Sequence, residues 1–150
     1  MASVDPVPSS LFVFPIRVYY EDTDSGGVVY YANYLKFMER ARTEWLRSRG
    51  LEQDVLRQRE GLIFAVRAAA VEYLRPARFN DVLEVTVQQT LASRVAVTFT
   101  QTVQRAPPSS SESSPNGEIL CESEIKIACL DADTLRPRRM PEFVYKELTR

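Results

Sequence analysis

The chain contains no histidine, which removes every mechanism built on an imidazole base or ligand, including the serine and cysteine triads that use one. Any general base must then be Asp, Glu, Lys or Tyr. Cysteine is scarce, with only Cys121 and Cys129 present. They stand on one stretch of strand-like alternation, about 26 Å apart at ~3.3 Å per residue, whereas a disulfide needs Cα atoms within roughly 7 Å. Two free thiols fit a reducing compartment, so a cytoplasmic protein is expected. Charge of one sign is also lacking. Nineteen Lys and Arg against twenty Asp and Glu leave a net charge of −1, and no basic stripe marks a nucleic-acid or membrane-surface binder. Long apolar runs are missing too. MASVDPVPSS has neither a cationic start nor an apolar core, and LFVF stops at Pro15, so neither a secretory signal nor a membrane span is expected.

The 150 residues suit one domain, which at this length buries about two thirds of its unfolded surface. Phe12, Phe14, Ile16, Val18 and Tyr20 alternate with Val13, Pro15, Arg17 and Tyr19, a period of two that argues for a strand. Tyr34, Phe37, Met38, Ala41 and Trp45 then fall at helical spacing, with Leu35 and Leu46 widening the stripe. With Asn33 as N-cap and Gly50 just past the end, the helix is predicted from about 33 to 49. LEQDVLRQRE adds a short helical turn before Gly61. The remainder reads as about four strands: 62–74, around 83–88, around 95–103, and 119–129. Residues 106–118 form a Ser/Pro insert without apolar anchors and, like the first ten residues, are expected to be mobile. One long helix followed by antiparallel strands is an α+β pattern in which a sheet curls over the helix.

Between the first strand and the helix lies YEDTDSGGVVYYANY, residues 20–34. Arg17-Val18, Thr23-Asp24, Gly27-Val28-Val29-Tyr30-Tyr31 and Asn33-Tyr34 together resemble the signature of hotdog-fold acyl-CoA thioesterases of the 4-hydroxybenzoyl-CoA thioesterase type. Within that group, EDTDSGGVVYYANYLKFMERARTEWLR looks most like the Tol-Pal-associated branch. The similarity continues through YLRPARFNDVLEV and RPRRMP. It implies a hotdog fold assembled as a homodimer or homotetramer, and an acyl-CoA substrate or an acyl-carrier-protein equivalent. No metal or cofactor is implied beyond the CoA of the substrate itself. It further implies that Asp24 is the catalytic carboxylate and that backbone amides near Tyr31 hold the thioester oxygen. Tyr31 stands where several members of the Tol-Pal branch carry histidine, so no acyl preference is carried over.

The residues read bottom-up agree with that chemistry. Thioester hydrolysis needs an attacking group, a site for the oxyanion and room for the acyl chain. A helix N-terminus supplies unpaired N–H groups, and glycines let backbone come close. Asp24 precedes such a terminus and could attack directly or act as base on water. Gly27, Val28, Tyr30 and Tyr31 are the candidate oxyanion and substrate contacts, with Tyr30 or Tyr31 lining the acyl pocket and Tyr34 and Trp45 in the core. Arg75, Arg78 and Arg94 are candidates for CoA phosphates. Glu21 and Asp22 are assigned to solvent or a subunit contact. Glu39 is the second-choice acid, expected to pair with Arg42 or Thr43. Asp22, Asp24 and Gly26 mimic the opening of a calcium loop, but glycine and Asn33 occupy ligand positions, which excludes it. The competing reading is a non-catalytic hotdog module that binds acyl-CoA or a partner protein.

Overall fold

A computed structural model of the chain describes residues 5–6, 11–107 and 117–150; most of the Ser/Pro insert and of the first ten residues lies outside them. Six strands form one antiparallel sheet: β1 (Asp5–Pro6), β2 (Phe12–Arg17), β3 (Leu62–Tyr73), β4 (Val82–Ala92), β5 (Ala96–Arg105) and β6 (Glu118–Asp131). β1 and β2 both pair with β4, at opposite ends, and the order then continues β4, β5, β6, β3. Every pairing is antiparallel.

Helix α1 (Asn33–Ser48) lies against β2, β4 and β5. Its buried face is Asn33, Tyr34, Phe37, Met38, Ala41, Arg42, Trp45 and Leu46, the stripe expected of a core helix. Leu35, assigned to that stripe from spacing, is 40% exposed, one step beyond the edge of the buried face. Trp45 meets the Phe99 ring of β5 edge-on at 5.2 Å between centroids. Gly50, at φ +77°, takes the left-handed position that ends the helix, a conformation cheap only for glycine. Asn33 is not the cap. It is the first helical residue, after Ala32, because its side chain is drawn elsewhere. Helix α2 (Gln53–Glu60) matches the predicted turn before Gly61. Helix α3 (Glu142–Thr149) was not foreseen; it closes one end of the core with Val144 and Leu148.

Register shifts interrupt β3 between Val66 and Ala68, β4 between Gln89 and Leu91, and β6 between Ile119 and Cys121. Such bulges bend a strand and increase its twist, so the sheet can wrap α1. β3 remains an edge, with Val66 through Ala70 exposed. No helix among the described residues is long and apolar enough to cross a membrane.

Phe37 is fully buried at the centre of this packing. We expect Phe37→Ala to lower the unfolding free energy by about 3–5 kcal/mol, measured by urea denaturation. A loss below about 1 kcal/mol would show that α1 is not the centre of the core.

Candidate active site

The loop joining β2 to α1 opens with a single 3₁₀ turn, Tyr20–Asp22. Asp22, assigned to solvent or a subunit contact from sequence, is instead buried at 5% exposure. Its Oδ2 accepts the Tyr19 amide at 2.8 Å and its Oδ1 accepts the Asn33 side-chain amide at 2.9 Å. Its own carbonyl takes the Tyr30 N–H at 2.8 Å. One aspartate therefore ties the end of β2, the tyrosine pair and the start of α1 together, which is why Asn33 does not cap the helix.

Above this tie a tight hairpin carries Asp24. Thr23 and Val29 face each other across an isolated bridge; the Asp24 amide donates to the Val28 carbonyl at 2.9 Å and Gly27 N–H to the Asp24 carbonyl at 3.0 Å. Gly27 sits at φ +80°, which favours glycine. Gly26 is needed for space, since a Cβ there would lie 3.2 Å from Asp24 Oδ1. Oδ1 accepts the Gly26 amide at 2.8 Å, while Oδ2 has no donor among the described residues. Asp24 is exposed, so the free oxygen is open to a substrate or water.

The start of α1 offers two fixed donors. The Tyr30 carbonyl accepts the Asn33 N–H at 2.8 Å, and the Tyr31 carbonyl accepts the Tyr73 hydroxyl at 3.1 Å. In a trans peptide the N–H points opposite to the C=O, so the first anchor turns the Tyr31 amide away from the body of the helix and the second turns the Ala32 amide away from Tyr73. Neither amide has an acceptor among the described residues, and the helix dipole makes this end positive. The arrangement suits an anionic oxygen.

The aromatic side chains divide as their spacing implied. Tyr34 is 3% exposed, its hydroxyl accepts the Ala77 amide at 3.0 Å, and burial raises its pKa. Tyr30 and Tyr31 are exposed at 45% and 61%. Tyr31 raises the Tyr30 pKa most, and the Asp24 charge adds to the shift, so that carboxylate stands near the tyrosine pair. Tyr31, but not Tyr30, lines an open groove of about 260 Å³ with Val29, Tyr34, Tyr73 and Arg75. Gly27 and Val28 shape the hairpin.

Val28 bridges to Arg78, and the Val29 amide donates to the Ala77 carbonyl at 2.9 Å, so the segment with Arg75 and Arg78 runs beside the loop. These two arginines border a basin with Arg105, which sequence reasoning did not select. Arg75 pairs with Glu118 at 3.1 Å, and Arg105 with Asp81 at 3.1 Å and with Glu118. The Arg78 guanidinium has no ion pair among the described residues. Arg94 is not brought there. It lies beyond the other end of β4, roughly 36 Å away along eleven residues, bonded to Glu142 at 2.7 Å and stacked 3.7 Å over Tyr145. Glu39 accepts the Thr43 hydroxyl at 3.1 Å, as one of its two expected pairings required, and makes no ion pair with Arg42. Among the described residues no three Cys, Asp or Glu side chains converge to hold a metal ion.

Cys121 lies under this site, opposite Tyr73 in the β3–β6 register. Burial first, and then the Glu122 charge, push its thiol up to about 12; burial also raises Cys129. Neither thiol is a nucleophile near neutral pH. We expect both to resist a chromogenic disulfide reagent at pH 8 and to react fully in denaturant. Rapid labelling of the folded protein would contradict their burial. We also expect Asp22→Ala to cost about 1–3 kcal/mol in urea denaturation, as the Tyr19 amide and Asn33 side chain lose their acceptor. An unchanged midpoint would show that Asp22 holds nothing.

A family model described as the thioesterase-like superfamily matches residues 18–148. The chain is 40% identical over 139 residues to the acyl-CoA thioester hydrolase YbgC of Escherichia coli O6:H1, covering 93% of this chain and 96% of that protein. It is 38% identical over 133 residues to the acyl-CoA thioesterase YbgC of Haemophilus influenzae, covering 89% and 90%. Among solved structures, a probable thioesterase from Bartonella henselae superposes with a TM-score of 0.78 at 30% identity, covering 88% of this chain and 100% of the other.

Proposed function

The chain belongs to the thioesterase-like superfamily, and from that premise we propose that it hydrolyses acyl-CoA thioesters to the free acid and CoA with Asp24 as the working carboxylate. One observation carries the reading: a carboxylate with an unoccupied oxygen stands on a hairpin tied to a helix start whose Tyr31 and Ala32 amides are aimed outward and unpartnered. The thioester oxygen accepts those two N–H groups, which hold it more tightly as it becomes anionic. Asp24 then attacks the carbonyl carbon, expelling the CoA thiolate and leaving a mixed anhydride that water opens to the acid. In the other route Asp24 takes a proton from water, the hydroxide adds, and the thiolate leaves. Both routes give the same products and use the same Oδ2.

The CoA moiety extends over the basin beside the loop, where Arg78 has a guanidinium free for phosphate, flanked by Arg75 and Arg105. An acyl-carrier-protein thioester presents the same reacting group and is a second donor class. Two buried, unpaired thiols suit a cytoplasmic setting. The exposed β3 edge, with the apolar run Val66 and Ala68–Ala70, is the surface a second copy would cover, since an unpaired edge of twelve residues is an open template for pairing. A second copy on that edge would put the site at a subunit boundary. Light scattering of an active sample at micromolar concentration should then give at least a dimer; an active monomer would refute the assembly.

Asp24→Asn keeps the shape of the side chain but removes its charge and basicity. We expect kcat to fall by about 10² to 10⁴-fold or more, with melting temperature, assembly and CoA affinity retained. Turnover within a few-fold of the parent would remove Asp24 from the chemistry and make Glu39 the next acid to test.

A further inference from the structure

Arg42 is a core cation with no ion pair among the described residues; burial works against its charged form, and the nearby Glu39 charge offsets this only in part. It is 9% exposed, and one of its N–H groups donates to Gln101 Oε1 at 2.9 Å. Gln101 is wholly buried, and its amide nitrogen is committed to the Met38 and Thr86 carbonyls at 3.1 and 3.2 Å. Its oxygen therefore has to face the guanidinium, which is held in place. A guanidinium carries five N–H donors, and one glutamine oxygen answers one of them. No carboxylate pairs with Arg42 among the described residues; Glu39, three positions earlier on α1, is engaged by Thr43. Burying a charge in this state is costly unless something else completes it.

Arg42 lines a cavity of about 120 Å³ between α1 and the sheet, with Glu39, Thr43 and Gln53 at its polar side and Phe64, Phe99 and Ile127 among its apolar walls. That is slightly less than the ~150 Å³ apolar cavity that holds a benzene molecule, so it fits the last few atoms of a chain and not a whole acyl group. The cavity lies on the same face of the sheet as the reacting end. Tyr73, Val71 and Ala69 of β3 face the same side as Cys121, Ser123 and Ile125 of β6. Beyond the bulge, Val66 and Phe64 continue that row opposite Ile127 and Cys129. The inner face of β3 thus runs from Tyr73, bonded to the Tyr31 carbonyl, to Phe64 and Val66 at the cavity. Ala69 and Val66 are exposed along it, so the floor is open. On the helix side Ala32 and Arg42 are ten positions apart, ~15 Å at 1.5 Å per residue, the span of a medium-length acyl chain.

We propose that this cavity is a distal acyl subsite in which Arg42 pairs with a carboxylate at the far end of the acyl group, so that the substrate class is the ω-carboxyacyl-CoA. The subsite rests on the thioesterase reading above and specifies its substrate. Paired oxygens on a guanidinium supply the acceptors that Gln101 leaves wanting, and the apolar walls take the methylenes.

The test compares two matched pairs of thioesters with the intact protein: the CoA monothioester of sebacate against decanoyl-CoA, and succinyl-CoA against butyryl-CoA. For the long pair we expect kcat/KM to favour the ω-carboxylate by about tenfold or more; for the short pair, which cannot reach Arg42, no such preference. In Arg42→Gln, which can still bond Gln101 but carries no charge, the long-pair ratio should fall to one or below, and a ratio within one protein cancels any general loss of folded enzyme. If the parent protein favours decanoyl-CoA or treats the long pair equally, if the short pair shows the same preference, or if Arg42→Gln keeps the parent ratio, the subsite is refuted. The parent comparison decides the matter even where the variant does not fold. Absence of turnover of all four thioesters would instead refute the thioesterase reading, and the subsite with it.

Discussion

The hydrogen bond from the Asn33 side chain to Asp22, 2.9 Å long and buried, is the constraint on which the site depends. It fixes where α1 starts relative to the end of β2, because the same carboxylate also takes the Tyr19 amide. With both carboxylate oxygens occupied, the backbone from Tyr30 to Asn33 has little freedom. The Asp24 hairpin closes above it and the Tyr31 and Ala32 amides turn outward. A buried carboxylate is tolerated here because both its oxygens accept hydrogen bonds. The exposed carboxylate two residues later inherits its position from the buried one.

The sheet sets the second boundary condition. Its bulges let it curl over α1, yet the helix contacts β2, β4 and β5 while β3 stands off. The space left between α1 and the inner face of β3 holds the groove beside Tyr31 and Tyr73 at one end and the Arg42 cavity at the other. The candidate catalytic loop, the proposed acyl path and the unpaired edge strand all follow from one helix packing off-centre in one curved sheet.

Much of this was legible in the sequence. The helical spacing from Tyr34 to Trp45, the glycine ends at Gly50 and Gly61, and the later period-two strands read correctly because local burial and periodicity coincide there, whereas the first strand stops at Arg17, short of the alternation that runs on to Tyr20. The loop stood out as a candidate site, since a carboxylate, glycines and a helix start stood together. What failed depends on contacts distant in sequence. Asp22 looked like a solvated acid, because nothing nearby announces that Asn33, eleven positions on, will bury it. Arg42 was one of two candidate partners for Glu39; Thr43 fills that role, and the commitment of Arg42 to Gln101 spans 59 positions. Arg94 looked equivalent to Arg75 and Arg78, but strand β4 carries it to the far end of the molecule. Helix α3 was missed because eight residues with two buried side chains give too short a period to stand out.

The central claim is geometric: Asp24 and the Tyr31 and Ala32 amides act on the same carbonyl. A crystal structure of the protein with an acyl-CoA analogue whose thioester sulfur is replaced by a methylene tests it most directly. The ketone oxygen should lie about 2.7–3.1 Å from the Tyr31 and Ala32 nitrogens, with the Asp24 carboxylate against the carbonyl carbon, directly or through one water. A ketone oxygen bound away from those amides, or a carbonyl carbon facing Glu39 with Asp24 turned to solvent, would contradict it.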